Sequence, residues 1–109
     1  MAVSKELIKG TVVPIVLSLL KEQPRYGYEI VKVVNARTNG RFEWKEGTLY
    51  PTLHRLESEG KIKARWQESD TGKRRKYYAL TRRGVAELTQ RQEEWRSFSA
   101  AVNHFLIGA

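Results

Sequence analysis

The sequence predicts a mostly helical protein with one small β-hairpin, ordered helix, helix, helix, hairpin, helix. Three observations predict it. Apolar residues recur at three- and four-residue spacing from Leu7 to Leu20, from Ile30 to Val34 and from Leu49 to Leu56, each a helix with one buried face. The period then drops to two, with Ile62, Ala64 and Trp66 alternating with Lys63, Arg65 and Gln67, as in a strand with one buried side. A helical period returns after Thr81 and holds to Phe105.

The first helix is expected from about Ser4 to Glu22, burying Leu7, Ile8, Val12, Ile15, Val16, Leu19 and Leu20. Proline has no amide hydrogen and its ring crowds the carbonyl four residues back, so Pro14 implies a kink, or a restart capped by Thr11. Pro24 closes the segment. A second helix runs from Tyr26 or Gly27 to about Thr38, stopped by Asn39 and Gly40, and a short extended piece, Phe42 to Trp44, leads to the third. There, in EGTLYPTLHRLESEGKI (Glu46 to Ile62), a proline at position 51 is tolerated in the first turn, which places the helix start near Gly47 or Thr48. Gly60 ends it. The turn cluster Ser69 to Gly72 joins the first strand to a second, Arg75 to Leu80, whose Tyr78 and Leu80 are expected on the core side. Thr81 caps a last helix, Arg82 to Leu106, in which Leu88, Trp95, Phe98, Val102 and Phe105 follow spacings of seven, three and four. This order is that of a winged helix-turn-helix.

Length and charge narrow the function. A chain of 109 residues with 40% apolar content holds one modest core. Twenty Lys and Arg against twelve Asp and Glu give a net charge of +8, which favours a polyanionic partner. Cysteine is absent, so neither a disulfide framework nor a thiolate metal site can form. The amino terminus lacks the apolar core of a signal peptide, and the run Val12 to Leu20 is too short to span a bilayer. The cytoplasm is the expected compartment, with no membrane partner. The only histidines, His54 and His104, lie on different helices without a ligand pattern, and no phosphate-binding glycine motif occurs. Glu57 with Glu59, or Glu93 with Glu94, read as solubilising carboxylates of amphipathic helices. No enzyme, catalytic residue, metal or cofactor is expected.

RYGYEI (Arg25 to Ile30), GTLYPTLHRLESEGKI (Gly47 to Ile62) and GKRRKYYALTRRG (Gly72 to Gly84) resemble, in order and spacing, three signature stretches of the PadR family of bacterial transcriptional regulators. The likeness covers nearly the whole chain, and its size resembles the short members whose final helix forms the dimer interface. Two departures are small: Arg25 and Tyr26 stand where many members carry a histidine before Gly-Tyr-Glu, and Pro14 interrupts the first helix. The resemblance implies a DNA-binding domain over residues 1–81 and a dimerisation helix over residues 82–109.

The residues support that expectation separately. In a winged helix the third helix enters the major groove amino end first, and the hairpin lies along the backbone or a neighbouring minor groove. Thr48, Tyr50, Pro51 and Thr52 can then lie against thymine methyls, while His54 and Arg55 reach acceptors on bases or phosphates. The run Lys73, Arg74, Arg75, Lys76 repels itself at the hairpin tip unless phosphates neutralise it. Of Tyr26 and Tyr28, at the start of the second helix, one is expected to contact phosphate and the other to pack. The stripe Leu88, Trp95, Phe98, Val102, Phe105 suits a helix burying itself on a partner or folding back on its own domain; in the first case a two-fold homodimer would present two recognition helices to an inverted repeat in double-stranded DNA. Trp95 and Phe98 with their symmetry mates would bring four aromatic rings to one axis, either as closed core or around a gap fitting a planar aromatic or phenolic effector. A homodimeric repressor, released by such a ligand or by none, is the leading expectation. The alternative is a winged helix that binds RNA or acts as a protein-interaction module.

Overall fold

Among residues 2–108, which this computed structural model describes, five helices accompany a three-stranded sheet. Their order is α1 (Lys5–Lys9), α2 (Val12–Glu22), β1 (Arg25–Tyr26), α3 (Gly27–Arg37), α4 (Glu46–Ser58), β2 (Ile62–Glu68), β3 (Arg74–Leu80) and α5 (Arg82–Leu106). Met1 and Ala109, the outer ends of the two expected segments, lie outside that range.

The first expected helix is two, and the restart at Thr11 is what Pro14 selects. As the third residue of α2, Pro14 lacks an amide that would have no partner inside the helix anyway. Thr11 is not the expected side-chain cap: its hydroxyl donates backwards to the Ile8 carbonyl at 2.8 Å. After α3, Asn39 and Gly40 turn the chain at φ of 52° and 76°, the left-handed stop that these residues accept most readily. The extended piece Phe42 to Trp44 does not form a strand. Asn35 takes up both backbone groups of Trp44 instead, donating to its carbonyl at 3.0 Å and accepting from its amide at 2.7 Å.

Helix α4 starts at Glu46, ahead of the expected Gly47 or Thr48, so Pro51 stands in the second turn rather than the first. The carbonyl it cannot bond belongs to Gly47, which is exposed and has no side chain to crowd the ring.

The sheet order is β1-β3-β2, all antiparallel, with Ile62 opposite Leu80, Trp66 opposite Lys76 and Tyr26 opposite Tyr77. The two-residue β1 has no counterpart among the expected elements, because so short a segment carries no period. The hairpin closes through the Ser69 amide, which donates to the Lys73 carbonyl at 2.7 Å, with Gly72 at φ 82°. Only its root is buried: Ile62 and Tyr78 are enclosed, Ala64 and Leu80 half-buried, and Trp66 lies open, against the expectation of one continuous buried face.

Leu17, Ile30, Leu49, Leu53, Leu56, Ile62 and Leu88 form the innermost core. Leu88, expected on the partner-facing stripe, thus belongs to the chain's own interior, because the first turns of α5 pack on α2 before the helix leaves the domain. One joint fixes its departure. The Thr81 hydroxyl donates to the Gly60 carbonyl at 2.6 Å and accepts from the Gly84 amide at 3.2 Å, capping α5 on the end of α4. Gly84 is obligatory here, since a Cβ would stand 2.1 Å from the Lys61 carbonyl oxygen. Lys61 also bridges Glu59 at 3.1 Å and Glu87 at 3.2 Å.

Candidate nucleic-acid interface

Helix α4 separates packing from presentation by its period. Leu49, Leu53 and Leu56 are buried, whereas Thr48, Pro51, His54 and Arg55 are exposed and Thr52 is half-covered. Five of the six expected reading residues therefore share an accessible surface. Tyr50 is the exception. It is half-buried over α3, where a Cβ on Gly27 would meet its ring at 2.7 Å, and it stacks on His54 with centroids 6.5 Å apart. Burial, and secondarily Glu46 beside it, push the Tyr50 hydroxyl above its ordinary pKa. Tyr50 spaces α4 from α3 and supports His54, and is not a free side chain.

The four consecutive cations, Lys73 to Lys76, do not share one tip. Lys73 and Arg74, at the turn and the first residue of β3, are exposed, but Arg75 and Lys76 further along the strand are half-buried and engaged. The Arg75 guanidinium lies 4.3 Å from the centre of the Tyr26 ring, with its Nε buried and unpartnered, and Lys76 reaches Glu57 of α4 at 3.5 Å. Arg75 and Lys76 reach different partners because consecutive residues of β3 point to opposite faces. Tyr26 also meets Tyr77 edge to face at 5.4 Å, whereas Tyr28 is 47% exposed with Lys32 beside its ring. Tyr26 therefore packs and Tyr28 is free.

Together these elements surround an open cleft of about 460 Å³. Tyr26 and Tyr28 line its floor, Tyr50 and His54 its helical wall, and Trp66, Arg74 and Lys76 its hairpin wall. Two residues that bear on it are not among the expected site residues, Trp66 lining it and Arg25 behind it. Trp66 has the spacing of a core residue, because its alternation continues past the point where the core ends. Arg25, buried at 6% exposure, holds the entry to α3 by donating to the Leu19 carbonyl at 3.2 Å and Glu22 at 2.7 Å, with Glu29 3.7 Å away. Arg37 and then Arg25 hold the Glu22 carboxyl at a pKa of about 2. The Tyr-Gly-Tyr corner is thus anchored from behind; a basic residue flanked by Glu at both helical spacings is the available signal.

Far from the cleft, α5 carries Trp95 and Phe98 with centroids 6.0 Å apart, then half-covered Val102 and the open Phe105. Trp95, Phe98 and Phe105 are left exposed by the described residues. Among the described residues no group of His, Asp and Glu could hold a metal ion, and no helix is long and apolar enough to cross a membrane.

Residues 16–90 match the PadR-like family of transcriptional regulators. A transcriptional regulator from Clostridium thermocellum is similar in structure, with a TM-score of 0.87 and 39% identity over 96% of this chain and 99% of its own. A PadR-like transcriptional regulator from Bacillus cereus gives a TM-score of 0.83 at 29% identity, over 94% of this chain and 97% of its own. An uncharacterized protein of Lysinibacillus sphaericus is 38% identical over 106 residues, 97% of each chain. With the winged helix and its basic hairpin in place, this chain belongs to the PadR-like family of transcriptional regulators, which bind DNA and are not enzymes.

Proposed function

We propose that the protein is a homodimeric transcriptional repressor of the cytoplasm that binds an inverted repeat. The observation that carries this reading is the outer half of α5: Trp95, Phe98 and Phe105 are 53%, 60% and 83% exposed on one isolated helix. Contiguous aromatic surface of that kind is disfavoured in a monomer and suits burial against a second copy. Residues 1–81 then act as the DNA-binding unit and residues 82–109 as the dimerisation helix. In the dimer, α4 enters the major groove with Thr48, Pro51, Thr52, His54 and Arg55 leading, while Tyr28, Lys73 and Arg74 meet the backbone. Selection of bound fragments from random duplex DNA tests the whole reading: an inverted repeat is expected, and enrichment of single half-sites removes the dimer.

The same stripe supports an effector site. Trp95 and Phe98 facing their symmetry mates would form an apolar gap suited to a planar aromatic or phenolic compound, which releases DNA if it binds one dimer shape better than the other. Quenching of tryptophan emission at micromolar ligand is expected, lost in Trp95→Ala with the dimer intact. Quenching that persists in that variant moves the ligand elsewhere.

A further inference from the structure

Positions 62, 64 and 66 share one face of β2, and that face runs from buried Ile62 through half-covered Ala64 to Trp66, which is 57% exposed. A single exposed aromatic needs no explanation; its surroundings decide what it can do. The Arg74 guanidinium lies 5.7 Å from the centre of the indole, and Lys76 stands opposite it on β3. Across the cleft are His54 and Tyr50. Trp66 is therefore a flat apolar plate beside the Arg74 guanidinium, facing the wall from which α4 presents its reading residues.

A partner fitting such a wall alternates apolar and anionic units. Duplex DNA keeps its bases stacked inward, so a strand passing between α4 and the hairpin offers deoxyribose flanked by phosphates. We propose that Trp66 is a DNA-contact residue whose indole lies on a deoxyribose of that strand, with Arg74 neutralising a neighbouring phosphate. The contact contributes affinity without reading sequence. It deepens the DNA-binding reading above and depends on it.

The test compares the full-length protein with Trp66→Ala and Trp66→Phe, on the selected site and on a random-sequence duplex, across a potassium chloride series. Trp66→Ala is expected to weaken binding about tenfold on both duplexes, the scale of one aromatic contact with nucleic acid. The slope of log affinity against log salt stays unchanged, because no charge is removed. Trp66→Phe recovers most of the loss. In parallel, acrylamide quenching of the wild type loses an accessible component when duplex is added, and Trp66→Phe lacks that component. This measurement decides the matter even if Trp66→Ala melts. Unchanged affinity and unprotected emission overturn the proposal; so does a loss with a flattened slope, which makes the indole a prop for Arg74, or a loss confined to the selected site, which makes it a base reader. A wild type that binds no duplex overturns the DNA reading itself, whereas one that binds as Trp66→Ala does overturns only this contact.

Discussion

The hairpin and α5 both begin in the core and run out of it, yet they carry different surfaces into solvent. From Arg65 to Lys76 the hairpin has five cations against Glu68 and Asp70, arranged around Trp66. From Gln92 to Leu106 α5 has one arginine against Glu93 and Glu94, around Trp95, Phe98 and Phe105. Aromatic surface is common to both, and charge separates them. A cationic aromatic surface suits a polyanion, with attraction that salt screens; a near-neutral one suits another apolar surface, with attraction that follows buried area and not salt.

The largest expected effect breaks both extensions at their shared root. Gly84→Val would place side-chain carbon within 2.1 Å of the Lys61 carbonyl oxygen and 2.8 Å of Leu80, and is expected to cost about 3 kcal/mol by overpacking. Thermal or urea unfolding measures it, and a loss below about 0.5 kcal/mol, the range of ordinary surface substitutions, would show that the joint yields. Next, Phe98→Asp puts a charge on the α5 stripe and is expected to weaken self-association by ~2 kcal/mol or more. Sedimentation equilibrium in low and high salt reads it, with little salt dependence in the parent protein. Third comes Arg55→Ala, which should cost ~1 to 3 kcal/mol on the specific site and little on random duplex. Replacing Lys73 and Arg74 by alanine should instead weaken binding to every sequence and flatten the salt slope by ~0.9 for each phosphate left without its cation. Adding Arg75→Ala and Lys76→Ala should flatten it less than the first pair did, since those two side chains are already engaged.

The smallest effect lies behind the cleft. Glu22 has a folded pKa of about 2 against 4.5 when free, so its contribution to stability is complete above pH 4.5 and fades as pH falls from there toward 2. Because Glu22 is partly exposed, the amount is expected to be under ~1 kcal/mol after screening. Glu22→Gln should flatten the acid limb of a stability-against-pH curve in that window and leave the neutral region nearly parallel to the parent. An unchanged acid limb would show that the Arg25 and Arg37 pairs contribute nothing there.

What the sequence makes legible is the periodic part. Element order, the hairpin turn, the Thr81 cap and the exposed face of α4 follow from spacing and from turn chemistry, which act locally. Errors arise where a pattern outlasts the core. Trp66 continues an alternation and Leu88 opens a heptad-like stripe, but whether each is covered depends on where the domain ends, which spacing does not encode. Tyr50 is a third case: its place is decided by Gly27, distant in the chain, whose missing side chain makes room for the ring. Pairing of β1 with β3 likewise needs the third dimension.

The Thr81 hydroxyl makes α5 a lever with its fulcrum at the foot of both reading elements. A single oxygen holds Gly60 at the end of α4 and Gly84 at the start of α5, and the absence of a side chain at Gly84 leaves no compressible layer between them. Force applied near Phe105, many turns away, would be borne at this joint, beside the recognition helix and the base of the hairpin. A second protein chain gripping the long arm would set the aim of α4 through its own hold on that arm, with no contact of its own near the DNA.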